Sequence, residues 1–591
     1  MKDFLKFTFA TVVGIIISTV LLSFLSILMM AGMMATSVGG TETQVRKNSV
    51  MVLDLNGELV ERSQDNPFQS LLGEEAATCG LDDVLSSIRK AKEHDQIKGI
   101  YIKAGSMSAG FASLEEIRKA LLDFKESGKF IIAYADDYTQ NMYYLSSVAD
   151  KVMINPKGSI GWHGLASNPT YYKELLDKIG VEMQVFKVGT YKSAVEPFID
   201  TKMSDANREQ ITSYIGSIWR QMLTGVSASR GISIDSLNEL ADRMMDLQPA
   251  EEYITSRLAD TLIYKNDVRD YLKSFVGVDK KDKLALLGLK DMMNVKKNVP
   301  KDKSGNIVAV YYAFGEIGSA ASYLSFDEGI VADKVIRDLR KLKEDEDIKA
   351  VVLRVNSPGG SAYDSEQIWH AVTELKKEKP VIVSMGDYAA SGGYYISCAA
   401  DSIVADGTTL TGSIGIFGLY PNTTGLTNKI GLSFDLVQTN PYAGFGASGR
   451  GLNDGEKELM QNMVNRGYEL FVKRCADGRG MSVEAIKRIA EGRVWTGEAA
   501  VGLKLVDEVG GLDRALEMAT AKAGVETYTV MTYPAQKSFF EQLMDAQNGS
   551  FLQARLLKGK VGELYRQIEW VNHIDELDKV QARISYAPNI H

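Results

Sequence analysis

The sequence predicts an α/β fold in two tandem copies, and three observations lead to this prediction. Segments of the first half recur in the same order in the second half at a nearly constant spacing. Within each copy, short apolar runs rich in β-branched residues alternate with stretches of helical periodicity. Such alternation is typical of α/β layers built on a parallel sheet. The composition, with 45% hydrophobic and 24% charged residues, is that of a globular protein.

The internal repeat sets the predicted domain boundaries. The segment that begins at Lys92 (KEHDQIKGIYIKAG) matches the one that begins at Lys343 (KEDEDIKAVVLRVN), 251 residues later. YYLSSVAD and YYISCAAD recur at the same offset, and GSIGWHGL resembles GSIGIFGL further along. The predicted organisation is an N-terminal anchor and linker over 1–47, a first repeat over 48–295, a second repeat over 306–535 and a helical tail over 536–591.

Each copy begins its α/β pattern with a strand, a helix and a second strand. The first strands are predicted at 99–104 (GIYIKA) and 350–355 (AVVLRV), because continuous apolar runs of this length are typical of buried parallel strands. The helices are predicted at 114–124 and 364–377, where apolar residues recur at helical spacing. The runs KFIIAYA and PVIVSMG then predict the second strand of each copy.

A long uncharged segment near the N terminus predicts a membrane anchor. Residues 7–41 contain no charged side chain, and residues 7–34 are apolar enough for one spanning helix. A bilayer core needs about 20 apolar residues, whereas the apolar part of a cleaved signal peptide has about 7–15. Basic residues flank both ends of the run, so the positive-inside rule leaves the orientation open.

The composition and the motif inventory exclude several functional classes. A formal net charge of −9 argues against a nucleic-acid partner, since such proteins present basic surfaces to phosphates. Cys79, Cys398 and Cys475 show no C-x-x-C spacing, so neither a disulfide framework nor a thiolate zinc site is expected. No P-loop or H-E-x-x-H motif occurs, and we expect no metal or organic cofactor.

The two copies differ at the positions that could carry chemistry. In the second copy Ser391 precedes Gly392 at the predicted start of a helix, and the position 251 residues earlier is Gln140. In the first copy Lys192 lies in the run YKSAVEPF, and its counterpart in the second copy is Ala443. One copy therefore has a serine and the other a lysine that its twin lacks. This complementary loss indicates a single composite site built from both copies.

A serine and a lysine can together form a nucleophilic site. A serine hydroxyl needs a base, and of the five histidines only His163 lies in one of these loops, in the first copy. A lysine can be that base if burial lowers its pKa from about 10.4 towards the working range. The Gly359–Gly360 turn and the N–H of Gly392 can donate hydrogen bonds to an oxyanion.

Other interpretations stay open when the residues are taken one by one. A serine before two glycines is typical of a helix N-cap, and Gly-Gly after a strand is typical of a turn. A crotonase-type acyl-CoA hydratase or isomerase uses similar glycine-rich loops, but it would need a catalytic carboxylate near the Gly-Gly loop. A non-enzymatic membrane scaffold would use the repeats for assembly alone.

Four motifs taken together resemble the signal peptide peptidase A family. They are YKSAVEPF (191–198), NSPGGSA (356–362), ASGGYY (390–395) and TGSIG (411–415). The closest resemblance is to the long bacterial form with two tandem domains, also called protease IV. It implies two tandem ClpP/crotonase-like α/β domains preceded by one transmembrane helix. It also implies a serine–lysine dyad peptidase that cleaves hydrophobic peptides, above all signal peptides released in the membrane.

The resemblance assigns a role to each motif residue. It implies that Ser391 is the nucleophile, that Lys192 is the general base and that Ser413 orients the lysine. The Gly359–Gly360 turn and the Gly392 N–H correspond to the oxyanion donors. The implied partners are peptide substrates, membrane lipid around the N-terminal helix and further copies of the chain in a tetramer. The implied location is the bacterial inner membrane, with the bulk of the chain on the periplasmic side.

Overall fold

Two sheets, one for each repeat, form the cores of the molecule, and a third sheet connects them. The predicted anchor lies outside the described residues apart from six positions. None of the helices in the described part of the chain combines the length and the apolar composition that a membrane crossing requires. The computed structural model describes residues 14, 17–19, 21–22, 42–63, 78–296, 302–318, 329–535 and 580–584.

The first repeat contributes a sheet in which every pairing is parallel. The strands of the first repeat are β1 (Ser49–Val60), β2 (Thr78–Gly80), β3 (Ile97–Ser108), β4 (Phe130–Ala135), β5 (Lys151–Ile154), β6 (Glu182–Lys187), β7 (Thr261–Leu262) and β8 (Leu286–Leu287), of which β6 belongs to the third sheet. Its helices are α1 (Leu81–Glu93), α2 (Phe111–Lys125), α3 (Gln140–Ser146), α4 (Lys173–Ile179), α5 (Glu196–Ile199), α6 (Asp205–Arg230), α7 (Ile234–Asp242), α8 (Ala250–Thr255), α9 (Val268–Val276) and α10 (Leu289–Met293). The strand order is β2-β1-β3-β4-β5-β7, with β8 beside β1.

The second repeat builds a similar sheet. The strands of the second repeat are β9 (Ile307–Phe314), β10 (Ile317–Gly318), β11 (Ile330–Val331), β12 (Ile348–Ser357), β13 (Gly359–Ser361), β14 (Val381–Ala390), β15 (Ser402–Ala405), β16 (Leu410–Gly412), β17 (Phe417–Asn422), β18 (Val494–Thr496), β19 (Glu508–Val509) and β20 (Thr529–Tyr533), of which β10, β11, β13 and β17 belong to the third sheet. Its helices are α11 (Ala332–Glu344), α12 (Ala362–Lys376), α13 (Gly392–Ser397), α14 (Thr424–Lys429), α15 (Asp454–Arg479), α16 (Val483–Ile489), α17 (Gly497–Gly502) and α18 (Leu512–Ala523). The order is β18-β16-β14-β12-β9-β20, with β15 between β14 and β19. The pairings in this sheet are parallel except for the antiparallel pairing of β16 with β18.

The elements expected from hydrophobic periodicity are present in both repeats. The two predicted first strands lie within β3 and β12, and the two predicted helices coincide with α2 and α12. Each repeat also has one helix of 26 residues, α6 and α15, and each of these ends at a glycine in the left-handed conformation, Gly231 and Gly480. A glycine at this position is a common helix terminator because it lacks a Cβ. The tandem α/β prediction is confirmed.

The third sheet is mixed and combines distant parts of the chain. Its order is β11-β10-β13-β21-β17-β6, where β21 is Val580–Arg583. Strand β6 of the first repeat pairs antiparallel with β17 of the second repeat over six residue pairs. For residues 580–583 the prediction of a helical tail is wrong, because these residues pair with strands on both sides. Such tertiary pairing overrides local propensity. The tail residues 536–579 and 585–591 lie outside the described residues.

A buried charge cluster fixes the two repeats relative to each other. The guanidinium of Arg354 on β12 lies 3.0 Å from a carboxylate oxygen of Glu61 and 2.6 Å from one of Glu116, both from the first repeat. Next to it, the Ser113 hydroxyl at the start of α2 donates to Asp387 at 2.6 Å. Removing one partner of a buried ion pair leaves an uncompensated charge, so such clusters tolerate little displacement. The contact holds the ends of β12 and β14 against α2.

Candidate active site

Ser391 occupies a strained turn between β14 and α13. Its backbone has φ 55° and ψ −113°, which is unusual for a residue with a side chain, and its N–H donates to the carbonyl of Gly412 at 2.8 Å. Strained backbone of this kind costs roughly 1–3 kcal/mol and is concentrated at functional sites. The Ser391 side chain makes no capping hydrogen bond to α13. Ser391 therefore stands at the N-cap position of α13, but its side chain does not cap the helix.

The structure brings Lys192 of the first repeat to Ser391 of the second. Lys192 Nζ lies 2.8 Å from Ser391 Oγ, and the two side chains are 1% and 0% exposed. The same Nζ lies 3.1 Å from the hydroxyl oxygen of Ser413 and 3.2 Å from its carbonyl oxygen. When two of the bonding directions of the Lys192 nitrogen point at the two oxygens of Ser413, its third bonding direction points at Ser391 Oγ.

The electrostatic environment favours the neutral form of the lysine. Complete burial lowers the pKa of Lys192 well below its ordinary value, and the positive charge of Arg583 lowers this pKa further. Desolvation penalises the charged form of an ammonium group because the interior cannot replace its hydration. A neutral Lys192 has a lone pair that can accept the proton of the Ser391 hydroxyl.

Two glycines make room for the lysine side chain. A Cβ on Gly492 would lie 2.7 Å from the Cβ of Lys192, and a Cβ on Gly415 would lie 3.3 Å from its Cδ. Gly492 also has φ 78°, a left-handed conformation that favours glycine. The sequence motifs include Gly415 but miss Gly492, because the need for space beside a side chain 300 residues away is visible only in three dimensions.

The backbone on either side of Lys192 is held by side chains that sequence reasoning missed. The amide of Gln210 on α6 donates to the Tyr191 carbonyl at 3.0 Å and to the Ser193 hydroxyl at 2.9 Å. The Arg493 guanidinium lies 4.6 Å from the centre of the Tyr191 ring. These contacts surround the lysine and limit its movement. No motif pointed to them, because glutamine and arginine are common on helix and loop surfaces.

The glycines predicted to bind an oxyanion lie together beside Ser391. Gly359 has φ 104°, and a Cβ on this residue would lie 2.8 Å from the backbone nitrogen of Gly392. Gly360 continues the same short strand, β13, so the backbone of all three glycines lies close to the serine. Within the described residues, no three acidic, histidine or cysteine side chains are grouped so that they could ligate a metal ion.

The corresponding position of the first repeat has a structural role. Gln140 begins α3, and its side-chain oxygen accepts hydrogen bonds from the backbone N–H groups of His163 and Gly164, both at 3.0 Å. Its amide nitrogen donates to the carbonyl of Gly164 at 3.0 Å. The His163 ring lies 3.0 Å from a carboxylate oxygen of Asp246. The loop that contains His163 and Gly164 is thus held by hydrogen bonds to the start of α3, where the second repeat has Ser391.

Comparison with known protein families also finds two copies of one domain in this chain. The model of peptidase family S49 matches residues 123–279 and again residues 373–526. The chain belongs to peptidase family S49. A Clp protease model also matches residues 326–404 in the second repeat, so the repeats have a ClpP-like fold. The resemblance inferred from the four motifs is confirmed.

Relatives of similar length exist in bacteria and in a plant. Protease 4 of Salmonella typhi is 36% identical over 528 residues, which cover 86% of this chain and 84% of that protein. Protease 4 of Haemophilus influenzae is 32% identical over 592 residues, covering 97% and 94%. The chloroplastic serine protease SPPA of Arabidopsis thaliana is 32% identical over 528 residues, covering 88% and 76%. The S49 chain described here is a serine peptidase of the long tandem form, which decides against the acyl-CoA hydratase and scaffold alternatives.

We predict that Lys192→Met stabilises the fold. Below its ordinary pKa of 10.5 the unfolded chain protonates Lys192, whereas the folded chain keeps it neutral down to the lowered pKa. Between these two pKa values the unfolded state binds the extra proton. The free energy of unfolding of the lysine form therefore rises with pH by about 1.4 kcal/mol per pH unit, and the methionine variant lacks this dependence.

Urea unfolding between pH 7 and 9 measures this difference, with both chains carrying Ser391→Ala to prevent digestion of unfolded molecules. We expect the methionine variant to be the more stable at pH 7 and its advantage to shrink as the pH rises. Lys103→Met, at a half-exposed ion pair with Asp54, is the control and should change stability by less than about 1 kcal/mol. Equal pH dependence of the lysine and methionine forms at position 192 would contradict a neutral lysine.

Proposed function

We propose that the chain is a membrane-anchored endopeptidase that cleaves hydrophobic peptides, in particular signal peptides, through an acyl-enzyme on Ser391 with Lys192 as general base. The observation that carries this proposal is the 2.8 Å distance between Lys192 Nζ and Ser391 Oγ in a fully buried environment. A serine beside a base, with the base held by a third group, is the arrangement of nucleophilic catalysis. Ser413 is that third group.

The acylation step follows from these contacts. Neutral Lys192 accepts the proton of Ser391 as Oγ attacks the carbonyl carbon of the substrate. The oxygen of the tetrahedral intermediate receives hydrogen bonds from backbone N–H groups of the glycines around Gly360 and Gly392. Losing one such donor typically costs about 2.7–4 kcal/mol of transition-state stabilisation. The protonated lysine then gives its proton to the leaving amine.

Deacylation uses the same base. A water molecule takes the place of the departed amine, Lys192 removes its proton, and the hydroxide attacks the ester carbon of the acyl-enzyme. The ester bond to Ser391 breaks, and its oxygen recovers a proton from the lysine. Each turnover returns Lys192 to its neutral form, which burial stabilises. Lys192 therefore acts as both the general base and the general acid of the reaction.

The substrate class and the location rest on the N-terminal segment. The uncharged run 7–41 is long enough to anchor the chain in the bacterial inner membrane, with the two repeats on the periplasmic side. An enzyme held at the bilayer meets apolar peptides there. A shorter relative from Enterococcus faecium carries the name putative signal peptide peptidase SppA and is 35% identical over 199 residues, 34% of this chain.

The internal repeat also supports assembly with further copies of the chain. Strand β6 of the first repeat pairs with β17 of the second, and its counterpart 251 residues later is the segment 433–438. In the structure this segment forms no strand and exposes Phe434 (53%) and Val437 (93%). A second copy of the chain can supply the strand that pairs with this segment. When each copy contacts the next in the same head-to-tail way, the copies can close into a ring. The tetramer implied by the resemblance is such a ring.

Hydrolysis of an apolar peptide tests the dyad. We expect Ser391→Ala and Lys192→Ala to lower the rate by about 10³-fold or more, because each removes one half of the nucleophile–base pair. Wild-type activity should rise with pH through the lowered pKa of Lys192 and level off above it, since only the neutral lysine is a base. Lys202→Ala, an exposed lysine ten residues further on, is the matched control and should keep wild-type activity. Wild-type rates in either dyad variant would refute the proposal.

Sedimentation of the detergent-solubilised chain tests the assembly. We expect wild type to sediment as an oligomer and Val437→Lys to sediment as a monomer, because a buried lysine in a strand contact carries a desolvation cost. Leu247→Lys introduces the same charge at another apolar position, 77% exposed in the first repeat, and should leave the oligomer intact. A monomeric wild type, or an oligomeric Val437→Lys variant, would show that segment 433–438 is not the contact.

A further inference from the structure

Gln210 on α6 is buried next to the segment that carries the candidate base. Its side chain is 2% exposed. Its amide nitrogen lies 3.0 Å from the carbonyl oxygen of Tyr191 and 2.9 Å from the hydroxyl oxygen of Ser193. These two residues directly precede and follow Lys192. One side chain of the first repeat therefore holds the residues on both sides of the lysine.

The same side chain also bonds to the second repeat. Its amide oxygen accepts a hydrogen bond from the N–H of Val494, the first residue of β18, at 3.2 Å. The carbonyl of Arg493, one residue earlier, accepts a hydrogen bond from the N–H of Ser413 at 2.7 Å. Ser413 in turn contributes a hydroxyl and a carbonyl oxygen near Lys192 Nζ. Gln210 thus connects the backbone that carries the lysine with the backbone that carries the serine beside it.

A buried polar network holds Gln210 itself. The side-chain oxygen of Asn207, one helical turn earlier on α6, lies 3.1 Å from the amide nitrogen of Gln210. The amide nitrogen of Asn207 donates to a carboxylate oxygen of Glu196 at 2.8 Å, and the Ser204 hydroxyl donates to the other oxygen at 2.5 Å. Glu196 lies in the motif YKSAVEPF and is 2% exposed. Because buried polar groups need their hydrogen-bond partners, this network fixes the orientation of the Gln210 amide.

We propose that Gln210 is a positioning residue for Lys192, which it holds between the two repeats so that Nζ points at Ser391 and stays out of contact with water. This inference rests on the proposed function of Ser391 and Lys192. The hydrogen bonds of Gln210 go to the neighbours of the base, so Gln210 acts through these neighbours. Displacement of a catalytic group by about 1 Å can lower a rate about 10²-fold.

Loss of these hydrogen bonds has two consequences for the base. The residues beside Lys192 gain freedom, so Nζ is less often in the position from which it accepts the proton of Ser391. Water then enters beside the amine and removes part of the desolvation that lowers the pKa of Lys192, so this pKa rises towards its ordinary value of 10.5. The positive charge of Arg583, which also lowers this pKa, is unchanged. A residue with only a structural role would affect the stability of the fold and leave the pKa of the base unchanged.

Titration of Lys192 in a Gln210→Met variant tests the inference. Methionine has a similar length but cannot make these hydrogen bonds. The full-length chain in detergent is labelled at the lysine Cε carbons and carries Ser391→Ala, so the NMR measurement does not depend on activity; Lys192→Met assigns the signal. We expect Gln210→Met to raise the midpoint of the Lys192 titration by about one pH unit. An unchanged midpoint would overturn the inference, whatever the fate of the proposed function.

Hydrolysis of an apolar peptide is the second readout, in chains that keep Ser391. We expect Gln210→Met to lower kcat by about tenfold or more at pH values below the midpoint of the pH profile, and to change KM by less than about twofold. The midpoint of the kcat profile should move to higher pH. A loss of activity with an unmoved midpoint would show that Gln210 only stabilises the fold. Full activity of Ser391→Ala would overturn the proposed function, whereas wild-type kcat and midpoint in Gln210→Met would overturn the inference alone.

Gln140→Met is the matched control. Gln140 is another buried glutamine of the first repeat, 7% exposed, and its side chain bonds to the loop at 163–164. We expect thermal unfolding to show a loss of stability in both glutamine variants, but Gln140→Met should keep the wild-type midpoint and kcat. An equal shift of the midpoint in Gln140→Met would overturn the inference.

Ser193→Ala is a milder variant that serves if Gln210→Met does not fold. It removes one acceptor of the Gln210 amide and leaves the bonds to Tyr191 and Val494 in place. We expect it to move the midpoint of the Lys192 titration in the same direction by a smaller amount. An unmoved midpoint in a chain with Ser193→Ala would then overturn the inference.

Discussion

The burial of one lysine is the constraint on which the rest of this structure depends. A lysine is a base only when its ammonium form is disfavoured, and here desolvation lowers the pKa of Lys192. Burying it requires neighbours on every side, and these come from both repeats. The β6–β17 pairing carries the chain to Lys192, while the glycines at 415 and 492 give its side chain room beside Ser391. The Arg354 cluster keeps the repeats in that arrangement.

Duplication of the fold explains how such a site can be built. Each repeat retains the sheet and the helices, but only the second keeps a serine at the strained turn and only the first keeps the lysine. In the first repeat Gln140 occupies the position that corresponds to Ser391, and its side chain accepts hydrogen bonds from the loop at 163–164. The first repeat therefore contributes Lys192 to the site, but it has no serine at the position that corresponds to Ser391. Neither repeat has both members of the proposed dyad, so under this proposal activity depends on the packing of the two repeats against each other.

The sequence was informative where chemistry or periodicity is local. The strands at β3 and β12 follow from apolar runs, and the proximity of Ser391 and Lys192 follows from a serine and a lysine that each copy lacks in turn. Gly492 and Gln210 could not be predicted, because their roles depend on contacts with a lysine that lies far away in the chain. The strand at 580–583 was predicted as helix, since its partners at 359–361 and 417–418 determine its conformation. Long-range packing, rather than local preference, decides these positions.

Titration of the Lys192 side chain by NMR determines whether this lysine is neutral in the folded chain. The chain is labelled at the lysine Cε carbons, and NMR spectra are recorded as a function of pH, with Lys192→Met used to assign the signal. We predict that the signal lost in this variant titrates well below 10.5, the ordinary pKa of a lysine. A Lys192 signal that titrates at the ordinary pKa of a lysine would show that Lys192 is charged at neutral pH and is not the base.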